Sequence, residues 1–179
     1  MKKATLCYIR RTSDAGKREY LMLYRNKKND DPNEGKWIGV GGKFEPGETP
    51  DECMLREVRE ETGLTPASYH FCGVIHFISD TWEDEDMYLY RAEAGPGAGA
   101  EAGAIPAGAS NSQTEQLPVC SEGELRWIPE EKLMKLPMWE GDRLFLKPLL
   151  EGAEEISMTL RYEGDTLVKA EEPRTGGNK

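Results

Sequence analysis

Apolar and polar residues alternate, imperfectly, along Ala4 to Arg11 ("ATLCYIRR") and again along Tyr20 to Arg25 ("YLMLYR"). The turn-rich "TSDAGKRE" lies between them, so the chain is expected to open with a β-hairpin. A polar loop, residues 26–36, leads to "WIGVGGKFEPGE", a short apolar run that passes into a glycine-rich turn. The period then changes to that of a helix, with Met54, Leu55 and Val58 forming an apolar stripe. Thr49 is placed to be its N-cap, Pro50 its first residue and Glu52 the reciprocal partner in a capping box. Gly63 stands where a left-handed C-cap is favoured. Residues 69–79, 86–93 and 124–129 read as further strands. Residues 129–136 and 141–152 read as short helices, with Pro148 a candidate break in the second. Residues 156–170 read as a closing hairpin turned at Glu163, Gly164 and Asp165. Irregular alternation of strands and helices, with hairpins at both ends, predicts an α/β fold with a mixed sheet and helices on its faces.

The 179 residues suit a single domain spanning 1–179. Ala94 to Ala109 breaks the pattern: it holds seven Ala, five Gly and two Pro in sixteen positions. Such a stretch has little to bury, and reads as a mobile loop inserted between two strands. The composition, 37% hydrophobic and 31% charged, is that of a soluble protein. No window approaches the roughly 20 apolar residues of a membrane span, and the N-terminus lacks the apolar run of a signal peptide. Four scattered cysteines, Cys7, Cys53, Cys72 and Cys120, without a C-x-x-C pair, suit reduced thiols in the cytoplasm. Nothing in the chain signals an oligomeric state.

A net charge of −10 argues against a polymeric nucleic-acid partner, which demands Lys and Arg for its phosphates. The charge is uneven, however. The first 43 residues hold 11 Lys/Arg against 5 Asp/Glu, so they carry +6 and the remaining 136 carry −16. That suits either an ordinary solvated surface or a small anion held between cations and a metal.

On the helix, Glu57, Glu60 and Glu61 fall within about a 100° arc beside the apolar stripe. Like charges at this spacing cost about 0.2–0.5 kcal/mol per pair, and more when buried. Two readings follow: a solvated acidic face relieved by Arg56 and Arg59, or a cradle for a cation. Hard carboxylate oxygens would suit Mg²⁺, or Mn²⁺, and not zinc. The two histidines, His70 and His76, cannot make a zinc triad, and no G-x-S-x-G elbow is present.

The acidic residues also belong to a longer pattern, G-x5-E-x7-R-E-U-x-E-E-x-G-U, where U is a bulky aliphatic residue. It is matched without exception by Gly42, Glu48, Arg56, Glu57, Val58, Glu60, Glu61, Gly63 and Leu64. In this the chain resembles the Nudix hydrolases. The resemblance implies an α/β/α sandwich with a mixed sheet, and hydrolysis of a nucleoside diphosphate linked to another group. It implies Mg²⁺ held by Glu57, Glu60, Glu61 and the Gly41 carbonyl, with Arg56 orienting the glutamates. Glu48 would brace the loop–helix junction, and Gly42 and Gly63 would be structural. One of Glu57, Glu60 and Glu61 would act as general base.

Outside this box, "GKWIGVGGK", "WEGD" and "LFLKPLLEG" resemble the MutT-type, 8-oxo-dGTP diphosphatase branch. That likeness implies a small-molecule nucleotide as partner, and nucleotide-pool sanitation in DNA repair as the role. It implies Thr5 as a nucleotide contact, Arg25 near the phosphates and Glu122 as a further metal ligand. Lys43 and Ile38 would border the substrate, Trp139 would stack on the purine and Asp142 would bond its edge. Ile38 and Gly141 depart from the branch, which carries Asn and an acid there, so the base pocket is expected to differ. A broader diphosphatase acting on ordinary NTPs, ADP-ribose or dinucleoside polyphosphates is the alternative, with a non-catalytic nucleotide sensor as a third reading.

Overall fold

In the computed structural model, which describes residues 1–95 and 117–171, the predicted opening hairpin is formed by β1 (Lys2–Thr12) and β2 (Arg18–Arg25). These two strands pair antiparallel, with Ile9 opposite Leu21. One edge of β2 also takes β3 (Trp37–Ile38), and the other takes β6 (Gly123–Pro129). The far edge of β1 pairs in parallel with β5 (Glu85–Ala94), from Lys2 opposite Glu85 to Arg10 opposite Glu93. Beyond β5 lie β4 (Pro66–Ser79), antiparallel to it, then β7 (Met158–Glu163), parallel to β4, and β8 (Thr166–Glu171). The sheet is therefore mixed, as expected, and the closing hairpin turns through Gly164 and Asp165.

Strand alternation sorts the core into two layers. From β1 and β2, Leu6, Tyr8, Tyr20 and Met22 face one side, where α3 (Glu140–Leu150) packs with Phe145, Leu146 and Leu149. Cys7, Ile9, Leu21 and Leu23 face the other, against Met54 and Val58 of α1 (Pro50–Thr62). The period of two on strands buried on both faces thus dictates an α/β/α sandwich.

α1 is built at its ends as predicted. The Thr49 hydroxyl accepts from the Glu52 N–H while the Glu52 carboxylate accepts from the Thr49 N–H, and Gly63 adopts φ 71°. Three elements differ from expectation. β4 begins at Pro66, three residues before the predicted Tyr69. α2 (Glu130–Leu133) is shorter than the predicted 129–136 and ends in tight turns. α3 runs through Pro148 to Leu150: proline removes a bond to the carbonyl of the residue four before it, and that residue, Leu144, is exposed, where water can serve the carbonyl. Of the expected insertion, Ala94 closes β5 and Gly95 follows it; the rest of it lies outside the described residues. No helix among the described residues is long and apolar enough to cross a membrane.

Candidate active site

The loop between β3 and α1 is tied to the helix by Arg56. Its Nε and Nη2 meet Glu48 Oε1 and Oε2 at 2.6 and 2.9 Å, a bidentate pair. Its Nη1 reaches Glu57 Oε1 at 2.7 Å and Glu60 Oε2 at 3.2 Å, and Nη2 donates to the Lys43 carbonyl at 3.0 Å. The guanidinium, with a further bond from the Glu45 N–H, holds the Glu48 carboxyl down to about 2. Arg56 therefore sets the positions of two glutamates and of the loop at once.

Glu61 is buried, and its Oε2 accepts from the Gly41 N–H at 3.1 Å. Glu57 lies against Gly42, where a Cβ would fall 2.4 Å from its carboxylate, so only glycine leaves it room. Glu122, just before β6, faces them and is ion-paired to Arg25 and Lys28. Burial, and then Glu122 and Glu57, push the Glu61 carboxyl up to about 8. Burial also raises Glu57, with Glu60 and Glu122 adding to it. For Glu122 burial acts upward too, but Lys28 and Arg25 outweigh it and hold the carboxyl below its usual value.

This donor set fits a hard divalent cation. Carboxylates that repel one another around buried Glu61 favour a cation among them, and every side-chain donor is an oxygen. Among the described residues no three acidic, His or Cys side chains already converge on one point. Arg56 Nη1 sits between Glu57 and Glu60 and offsets part of their repulsion.

Glu57 and Glu122, but not Glu60 or Glu61, line a cleft of about 480 Å³. Gly42 lines it too, as do Trp139 and Asp142 at the start of α3. Trp139 is the N-cap residue of α3, so Asp142 does not cap the helix. The Trp139 indole donates from Nε1 to Asn33 Oδ1 at 2.8 Å and meets Tyr162 edge-on at 5.2 Å. The Lys36 ammonium stands 4.0 Å from the centre of its ring. Burial raises the Asp142 carboxyl to about 7, against the opposing pull of Arg143 and Lys36.

Four further residues singled out from sequence are also on this cleft. Ile38, Lys43, Thr5 and Arg25 all line it. Thr5 is nearly buried and its hydroxyl lies 3.7 Å from the Cys53 sulfur of α1. The Arg25 guanidinium is already engaged, by Asp31 at 2.7 Å and by Glu122. His76 does not line the cleft; it pairs across strands with Asp86 at 2.7 Å. Sequence reasoning missed Asn33, Lys36, Phe77, Met87 and Glu85. A run of polar residues before Trp37 gave no sign that Asn33 and Lys36 dress Trp139. The other three reach the cleft through pairing of distant strands.

Known proteins share both the sequence and the architecture. Residues 2–149 match the NUDIX domain. An oxidized purine nucleoside triphosphate hydrolase of Danio rerio is 32% identical over 136 residues, 75% of this chain and 74% of its own. The crystal structure of a MutT protein of Bacillus halodurans superposes with a TM-score of 0.72 at 22% identity, covering 97% of this chain and 100% of that one. The NUDIX domain of Shewanella oneidensis NrtR, crystallised with ADP-ribose, superposes with a TM-score of 0.58 at 18% identity, over 83% of each chain. With an intact glutamate helix, its bracing arginine and a cleft beside them, the chain belongs to the Nudix hydrolase family, in its MutT-type branch.

Proposed function

We propose that this Nudix hydrolase cleaves oxidised purine nucleoside triphosphates, 8-oxo-dGTP foremost, to the monophosphate and pyrophosphate. One observation carries the reading: a single cleft is lined both by the half-buried glutamates Glu57 and Glu122, beside buried Glu61, and by Trp139 and Asp142. One nucleotide in that cleft would set its base at Trp139 and its phosphates at the glutamates. The likeness to the Danio rerio hydrolase supports the same choice.

Glu57, Glu60, Glu61, Glu122 and the Gly41 carbonyl would hold Mg²⁺, or Mn²⁺. When bound, it neutralises phosphate charge and acidifies a water for in-line attack. Arg56 keeps Glu57 and Glu60 in place, and one of the three helix glutamates takes the proton of the attacking water. Lys43, Arg25 and Lys28 line the same cleft and bring positive charge to it, the last two while paired to Glu122. Trp139 offers a flat face to the purine, and Asp142 accepts from or donates to its edge according to its protonation. Nucleotide-pool sanitation in the cytoplasm would be the corresponding role.

A broader range of nucleotides is a second reading, favoured by Ile38: an apolar side chain on the cleft offers the base no hydrogen bond. Incubation with Mg²⁺ and 8-oxo-dGTP, dGTP, dATP, ADP-ribose and diadenosine polyphosphates, with product identification, tests both. Fastest release of monophosphate and pyrophosphate from 8-oxo-dGTP supports the first reading. Equal rates across the panel replace it with the second, and binding without turnover refutes both.

A further inference from the structure

The cleft has a further carboxylate, contributed by the sheet. On β5, Glu85 and Met87 are two residues apart and so share a face, and both line the cleft with Leu6 of β1 and Phe77 of β4. Phe77 stands opposite Glu85 in the antiparallel register. Phe77 in turn packs on Tyr162 at 5.1 Å, and Tyr162 on Trp139 at 5.2 Å. Glu85 therefore borders the same apolar floor that ends at the indole.

Its carboxylate is left without a partner. Lys2, directly opposite in the parallel register, gives its ammonium to Glu83 at 3.1 Å instead. No hydrogen bond or ion pair among the described residues engages Glu85, although Lys43 and Lys2 lie near enough to act on it electrostatically. Burial pushes its carboxyl above the usual value. A half-buried carboxylate with no partner costs free energy unless something else meets it.

Of the acids at the start of α3, Glu140 is exposed and does not line the cleft, and position 141 has no room for a side chain. The Gly141 N–H donates to the Tyr162 hydroxyl at 2.8 Å, and a Cβ at Gly141 would lie 2.7 Å from both that oxygen and a Leu160 methyl. Asp142 is thus alone on its wall, whereas an oxidised guanine presents N–H donors on more than one edge. Resting on the function proposed above, we infer that Glu85 is a specificity-determining residue, accepting an N–H from the purine that Asp142 does not reach.

Glu85→Gln keeps the size of the side chain and removes the charge. In that variant 8-oxo-dGMP binding, measured calorimetrically without divalent metal, should weaken about tenfold or more, as loss of a bond to a charged acceptor implies. With Mg²⁺, KM for 8-oxo-dGTP should rise by a similar factor while kcat changes little. Inhibition by pyrophosphate, which has no base, should stay unchanged, and the melting temperature should not fall. Wild-type affinity for 8-oxo-dGMP in Glu85→Gln would overturn the inference. So would equal weakening of pyrophosphate inhibition, which would mark a general electrostatic effect. If wild-type protein turns over no nucleotide, the proposed function fails, and metal-free 8-oxo-dGMP binding still decides the role of Glu85.

Discussion

The Arg56 guanidinium and the Glu48 carboxylate form a two-bond fork, at 2.6 and 2.9 Å, that joins the glycine-rich loop to the glutamate helix. Only a planar guanidinium can make that fork and still reach Glu57 and the Lys43 carbonyl. Arg56→Lys should keep the charge and lose the geometry. Activity should drop about 10–100-fold, the usual cost of removing a group that orients metal ligands. The folded fraction and the circular dichroism spectrum should stay as in the parent. Unchanged kcat/KM in Arg56→Lys would show that the fork is dispensable.

Gly42 leaves the space that Glu57 occupies. A methyl at Gly42 would stand 2.4 Å from the Glu57 carboxylate, so Gly42→Ala must displace that carboxylate. A shift of about 1 Å in such a group can cost on the order of 100-fold in rate. Steady-state kinetics should show this loss in kcat, with the melting temperature affected much less.

Divalent metal should stabilise the fold through the buried glutamates. Ligand binding only to the native state adds about 2.7 kcal/mol at a concentration of 100 Kd. Mg²⁺ titration in differential scanning calorimetry should therefore raise Tm, and EDTA should reverse the gain. Glu61→Gln should abolish the gain, since it removes a central carboxylate. Glu60→Gln, with a more exposed side chain, should nearly abolish turnover while the protein stays folded.

Asp142 predicts a pH dependence with a definite sign. Its carboxyl titrates near 7 in the fold against 3.8 in the unfolded chain, because burial disfavours the charge. Between those values the native state binds the extra proton. The stabilisation is complete below the unfolded value and is lost as pH rises through about 7. Asp142→Asn should therefore show a smaller fall in Tm than wild type between pH 5 and pH 8, measured without metal.

Gly63 ends α1 in the left-handed region, at φ 71°, where a Cβ is disfavoured. Gly63→Ala should cost about 1–2 kcal/mol of stability by denaturant unfolding. Activity per folded molecule should be little changed, because the cap lies beyond the glutamates.

The ends of α1 were legible to the residue, since the Thr49–Glu52 capping box and the Gly63 turn are made between neighbours in sequence. The hairpins were legible for the same reason. Pro148, a candidate break from sequence, lies within α3, where Phe145, Leu146 and Leu149 pack into the core, a contribution that a proline rule does not include. The role of Arg25 was only half visible. Its place near the glutamates could be expected, but its engagement by Asp31 and Glu122 depends on β6 lying along β2.

By itself the sequence determined the reaction class, because the glutamates, Arg56 and the flanking glycines act within one loop and helix at fixed spacing. Tertiary structure alone decided what faces them. Parallel pairing of β1 with β5 places Glu85 opposite Lys2, and α3 brings Trp139 and Asp142 over the same floor. Those contacts join residues far apart in the chain. No local period or spacing encodes them, because they follow from how two faces of one sheet bury their side chains.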